Sequence, residues 1–462
     1  MPISRQKPKN VGQLRTACDR CYELKARCER ASAVFSCARC ERLGFVCSTV
    51  RPVRPSGRRP QNRTLSASAE PSKEREIGAW LDNVPGLLPE ERDLLIFLLG
   101  RPENIDCYVV CPRFQVAAQQ SLVTQLQLAL PILKDAYLAC ASALKQLDPA
   151  LSMDTDNSVR HASSAMKTLL SLPISNSQDA ALCLTLGAAL ALSVYSTIGV
   201  GVADICRYCL TATNPFVEKV VSDGHTEPWH GVLVLLETMD CLVYRRKPTL
   251  RIQPRISDTV DRHLGLCSPL LPYYYDLCVI SHSLANTTDA SALASLQKQL
   301  DGIHTSVEAW IPSHASHLVD QFEAAEIVTF LAQAKVYRLG ALLVSHRLRH
   351  AFGERDEQAD IWSKEIMMEL DMAQIVTERP IRYVTLPFLI AAVEIRDPSS
   401  RNKALQSIVN YVDHFSLVLQ EAARTFLCRL WHDRDLQIVS CWFDSIHKPC
   451  PILQSLDVAC VA

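Results

Sequence analysis

The first ten residues, MPISRQKPKN, carry three cationic side chains and lack the apolar core of a secretory signal. This points away from secretion and toward a reducing compartment, where cysteines are thiols or metal ligands rather than disulfides. No glycine-rich phosphate loop, dinucleotide-binding glycine pattern or Ser/His/Asp arrangement stands out, so an enzyme is not expected. Net charge is also scarce, −1 over 462 residues. The balance is uneven, however: residues 1–65 hold 15 Lys and Arg against 4 Asp and Glu, a local +11, which leaves −12 for the remainder. A basic end on an acidic body points to a polyanionic partner.

At this length, with 48 % hydrophobic residues, more than one folded unit is expected. Residues 1–17 read as a basic arm, 18–47 as a compact cysteine module, and 48–76 as an Arg/Pro/Ser linker without apolar periodicity that is expected to be disordered. From 77 to 462 apolar residues recur at helical spacing, as in Ser121 to Leu147, Val159 to Leu172, Gln178 to Tyr195, Gly231 to Tyr244, Ala292 to Trp310, Asp320 to Arg349, Gln358 to Val376, Arg401 to Leu419 and Asp433 to Ile446. The fold class is therefore all-α, with one large multi-helix domain after the module. No 20–50-residue period marks a solenoid.

Ala180 to Ala203 is uncharged and long enough to span a membrane. Its three glycines, its hydroxyl residues, Asp179 and Asp204 at its ends, and the absence of a flanking Lys/Arg cluster favour a buried core helix. No membrane partner is expected.

The strongest signal is Cys18-x2-Cys21-x6-Cys28-x8-Cys37-x2-Cys40-x6-Cys47, two copies of C-x2-C-x6-C. A structural zinc ion takes four ligands, so six thiolates either hold one ion with two cysteines idle or hold two ions through two shared sulfurs. The second solution uses every member of the repeat and is the better reading. No ligand position then stays open for water, so the metal is structural.

The stretches Ala17-Cys18-Asp19-Arg20-Cys21, Lys25-Ala26-Arg27-Cys28, Cys37-Ala38-Arg39-Cys40 and Gly44-Phe45-Val46-Cys47 resemble the fungal zinc-binuclear-cluster transcription regulators. The resemblance implies two Zn2+ per chain, bridged by Cys18 and Cys37. Cys21 and Cys28 complete one site, and Cys40 and Cys47 the other. It implies a short helix after the first cysteine of each half, with the end of the first helix facing the DNA major groove. Lys25 is then the base-reading residue and Arg27 a phosphate or base-edge contact at GC-containing triplets such as CGG, since Lys or Arg on guanine O6 and N7 is the commonest specific contact. Tyr22, Glu23 and Leu24 stand where this family is often basic, which shifts phosphate contact toward Arg15, Arg20, Arg30, Arg39, Arg42 and the flanking arms. The loop Glu29 to Ser36 lacks the family's usual proline.

Arg51 to Arg63, RPVRPSGRRPQNR, loosely resembles minor-groove hooks. The expected role of its arginines, Arg58 and Arg59 among them, is nonspecific phosphate binding or nuclear import. Dimers in this family often use a coiled coil just after the cluster; residues 48–100 show no sustained heptads, so monomer and homodimer both stay open. Farther on, Tyr337-Arg338-Leu339, Ser345 to Gly353, Leu386 to Ala391 and Glu394 are similar to stretches of the helical fungal-specific transcription-factor domain, which implies an effector or regulatory role with the transcription machinery or co-regulators as partners. His346 and His350 lie one helical turn apart without a zinc-protease Glu between them, so a solvated or capping role is expected. Cys206-x2-Cys209 lacks a second pair and reads as buried thiols.

The expected protein is thus a nuclear, sequence-specific, double-stranded-DNA-binding regulator of RNA polymerase II genes, pathway-specific by analogy, with secondary-metabolite clusters as an example. The competing class is a zinc-module scaffold or co-regulator without specific DNA binding, motivated by Tyr22-Glu23-Leu24 and opposed by the +11 arm.

Overall fold

The computed structural model describes residues 17–29, 36–48, 70–147, 155–217, 229–253, 260–312 and 315–439. It divides into two compact units, Met1–Ser68 and Ala69–Ala462.

In the first unit, helices α1 (Asp19–Glu23) and α2 (Ala38–Arg42) each start directly after a cysteine that serves as N-cap. Both last about one turn, because the next residues bend the chain back toward the third cysteine of the half. The buried residues among those described here are Cys18, Cys21, Cys37 and Cys40, whereas Tyr22, Leu24, Leu43, Phe45 and Val46 are exposed. The unit therefore has a sulfur core in place of a hydrocarbon one.

The second unit is helical, with no strand among the described residues. Its first part runs through α3 (Glu70–Asp82), α4 (Pro89–Gly100), α5 (Gln115–Lys145), α6 (Thr155–Ser171), α7 (Ser177–Thr197), α8 (Val202–Thr213) and α9 (Trp229–Tyr244). Then follow α10 (Leu271–Asn286), α11 (Ala290–Ala309), α12 (Ala315–Gln321), α13 (Ala324–Arg347), α14 (Asp356–Thr377), α15 (Thr385–Ala392), α16 (Pro398–Tyr411) and α17 (Leu417–Asp435). Helix α3 begins at Glu70, ahead of the boundary expected at 77.

Helix starts follow local chemistry. Asn176 accepts from the Gln178 and Asp179 amides at α7, Asp289 from Ala292 at α11, Asp397 from Ser400 at α16 and Ser416 from Leu419 at α17. Helix α5 is kinked at Ala129, two residues before Pro131, which has no amide proton and crowds the preceding turn. The apolar periodicity of 401–419 is not one helix, because a break at Val412–Ser416 separates α16 from α17. Helix α17 ends at Asp435, so the helix expected from Asp433 does not start there; residues beyond 439 lie outside the described ones.

Two helices are long and apolar enough to cross a membrane, Ser177–Thr197 and Ala324–Arg347, yet 89 % and 67 % of their most apolar windows are buried inside the unit. Helix α7 packs on α5, α6, α8, α9 and α17, and α13 on α10, α11, α14 and α15. Burial of this kind is what the core helices of a helical domain show.

Candidate metal centre

The six cysteines of the repeat converge. Cys18 Sγ lies 3.8 Å from Cys37 Sγ and 3.7 Å from Cys40 Sγ, and Cys21 Sγ lies 3.7 Å from Cys37 Sγ. With metal–sulfur bonds of ~2.3 Å, the edge of a tetrahedron is ~3.8 Å, so these spacings fit sulfurs sharing a tetrahedral ion. The inner four, Cys18, Cys21, Cys37 and Cys40, all lie within 4.8 Å of one another. Cys28 interacts with Cys18, Cys21 and Cys37, and Cys47 with Cys18 and Cys37. Cys18 and Cys37 are thus hubs, each reaching every other thiol of the six.

Backbone geometry repeats with the sequence. The Cys18 amide donates to Cys28 Sγ and the Cys37 amide to Cys47 Sγ, both at 3.3 Å. The two halves also exchange backbone bonds: Asp19 N–H donates to Ser48 O at 2.9 Å and Ala38 N–H to Glu29 O at 3.2 Å. Each half closes its turn the same way, with the Ala26 amide on Cys21 O and the Phe45 amide on Cys40 O. The result is a local two-fold arrangement in which equivalent atoms lie 19 positions apart.

The thiols differ in acidity along the same division. The Cys40 amide, 3.4 Å from Cys37 Sγ, is the largest influence holding Cys37 down at about 6 against its burial. Burial pushes Cys18 up, but hydrogen bonds from the Cys21 amide and from the Cys21, Cys40 and Cys47 thiols outweigh it, so Cys18 is lowered. Burial, reinforced by the neighbouring thiols, raises Cys21, and raises Cys40 to about 12. The hubs are the sulfurs best prepared to be thiolates, the form that binds metal.

Lys25 is exposed and follows the α1 C-cap, with φ +47; its counterpart in the second half is Gly44, φ +66. Arg27 is exposed and pairs with Glu29 at 2.9 Å. Arg20 places its guanidinium 3.5 Å from the centre of the Phe45 ring, joining the two halves, a role that sequence reading missed. Arg15, Arg58 and Arg59 lie outside the described residues.

In the helical unit, Cys206 and Cys209 are fully buried thiols. His346 is not solvated: it is buried, packs edge-on against Trp362, and its Nε2 is 3.2 Å from the Arg355 carbonyl. Arg347 and Glu394, 47 positions apart, meet in a buried two-bond ion pair of 2.9 and 2.7 Å. Asp356 adds a third bond to Arg347 at 2.7 Å.

No family model matches the chain, and no curated protein or solved structure does either.

Proposed function

We propose that the protein is a nuclear, sequence-specific DNA-binding regulator of transcription whose N-terminal module is a zinc-binuclear cluster, and that it acts without catalysis of its own. The observation that carries the reading is the hub arrangement: Cys18 and Cys37 each reach all four other thiols, as two bridging sulfurs must. Cys18, Cys37, Cys21 and Cys28 hold one Zn2+, and Cys18, Cys37, Cys40 and Cys47 the other. Zinc supplies the core that the module otherwise lacks and leaves no open coordination site. Support for the partner comes from the +11 balance of residues 1–65 and from exposed Lys25 and Arg27 just beyond α1, where a side chain can reach a guanine edge.

A scaffold reading has one observation in its favour, the exposure of Tyr22, Leu24 and Val46 on the module. Selection of bound sequences from a random duplex library by the zinc-loaded full chain separates the two. Enrichment of a GC-containing triplet supports the regulator; uniform recovery rejects specific binding and leaves the scaffold. Native mass spectrometry counts the ions, and one zinc per chain overturns the bridged cluster.

A further inference from the structure

The helical unit holds an apolar cavity of about 400 Å³ walled by the end of α7, the Gly199–Gly201 loop, α9, α15 and α17. This lies within the ~300–1,000 Å³ range of small-molecule sites. Met239, Val243, Leu389, Leu419 and Phe426 line it, and all five are only half-buried although they pack against the main core. Their remaining apolar surface faces a concavity, where water is a poor substitute for a packed partner.

The charges at its edge are already paired. Asp204 meets Arg207 at 3.1 Å, and Asp240 meets Arg207 at 3.6 Å and Arg246 at 3.4 Å. A charged occupant must break one of these pairs, whereas a neutral one need not. Arg246 remains half exposed over the Tyr244 ring and can donate to a carbonyl or hydroxyl at one end of an occupant.

We infer that this cavity is a binding site for a neutral, largely apolar small molecule with one hydrogen-bond acceptor, a reading that does not rest on the proposed zinc module or DNA binding. The test uses the full zinc-loaded chain and Nile red, a neutral apolar dye whose emission shifts to the blue in a dry site. One saturable site per chain is expected. Ala423, buried in the α17 wall, is replaced by Phe to fill the cavity, and Val243→Trp does the same from a half-buried position that tolerates bulk. Each is expected to weaken the dye at least tenfold with helical circular dichroism unchanged. Hydrogen exchange on the unaltered chain is the readout that needs no variant, and protection is expected on α9 and α17. Unsaturable binding, protection confined to other helices, or undiminished binding by a folded filled variant overturns the site. Tighter binding of the anionic dye 1-anilinonaphthalene-8-sulfonate at the same place overturns its neutral character.

Discussion

The two units solve the same problem with different materials. The helical unit buries a large hydrocarbon core, from Ile77 through Val439, with a smaller cluster around Phe330 beside it, whereas the module buries four thiols and leaves Tyr22, Leu24 and Val46 in water. Hydrophobic burial is additive and tolerant, so losing one methyl group is felt locally. A sulfur core is held by a few strong bonds that form together or not at all. The units should therefore fail differently, and the difference can be pushed from either side.

The largest effect falls on the module. Metal removal by a strong chelator is expected to unfold residues 17–48 while the helical unit keeps its circular dichroism, since structural zinc contributes ~10–16 kcal/mol to such small sites. In the proposed bridged cluster, Cys18→Ser and Cys37→Ser are expected to disturb both ions, and Cys28→Ser and Cys47→Ser only one. Zinc retained after gel filtration, measured per chain, is expected to fall further for the first pair. Equal loss from all four variants would remove the distinction between hubs and outer ligands.

Why the module was legible from sequence and much of the helical unit was not follows from the same contrast. The repeat C-x2-C-x6-C written twice marks the six cysteines that converge, while the assignment of Cys18 and Cys37 as the shared pair comes from the family resemblance rather than from the spacing. Helix period is also local, and α7, α9 and α14 stand close to where apolar spacing puts them. Breaks are harder: 401–419 keeps a helical rhythm across the Val412–Ser416 interruption, which is set by Ser416 bonding Leu419 N–H and the Tyr195 carbonyl. The latter lies far away in sequence, and no local pattern contains it. Arg347 with Glu394, His346 against Trp362 and Arg20 over Phe45 are likewise pairings that exist only after folding.

In the helical unit the largest single-site loss is expected at the Arg347–Glu394 pair. Arg347 has a fully buried side chain and Glu394 a nearly buried one, so Glu394→Ala leaves the guanidinium only Asp356 and backbone carbonyls such as that of Ala351 and is expected to cost ~3–5 kcal/mol in urea unfolding. A cost below ~1 kcal/mol would mean that Asp356 alone suffices to hold Arg347.

A smaller effect is pH-dependent. Burial, aided by the Arg347 charge, lowers His346 from its usual 6.5 to about 4. Between these values the unfolded chain binds a proton that the folded one refuses, so this residue's contribution is present above pH 6.5 and is lost as pH falls toward 4. The loss is bounded by ~3 kcal/mol. His346→Gln is expected to flatten the acid limb of helical-unit stability in that window, and an unchanged limb would place the titration elsewhere.

The smallest effect sets folding against recognition inside the module. Position 25 has φ +47, and its counterpart Gly44 has φ +66 with open space where a Cβ would lie. Both residues end a one-turn helix by turning left-handed, a conformation glycine adopts freely and lysine does not. The left-handed turn strains Lys25 by ~1 kcal/mol, and the same residue is the proposed base reader. Lys25→Gly is therefore expected to raise the chelator concentration needed to unfold the module, by at most ~1 kcal/mol, while the proposed guanine contact is lost at a cost of ~1–3 kcal/mol on the selected DNA site. Binding to scrambled DNA should barely change, because the proposed phosphate contacts lie elsewhere. The two quantities are read on the same variant by zinc competition and by DNA titration. If Lys25→Gly lowered module stability, the left-handed turn would be sustained by the lysine side chain itself; if it weakened both DNAs alike, Lys25 would be a phosphate contact and Arg27 the candidate reader.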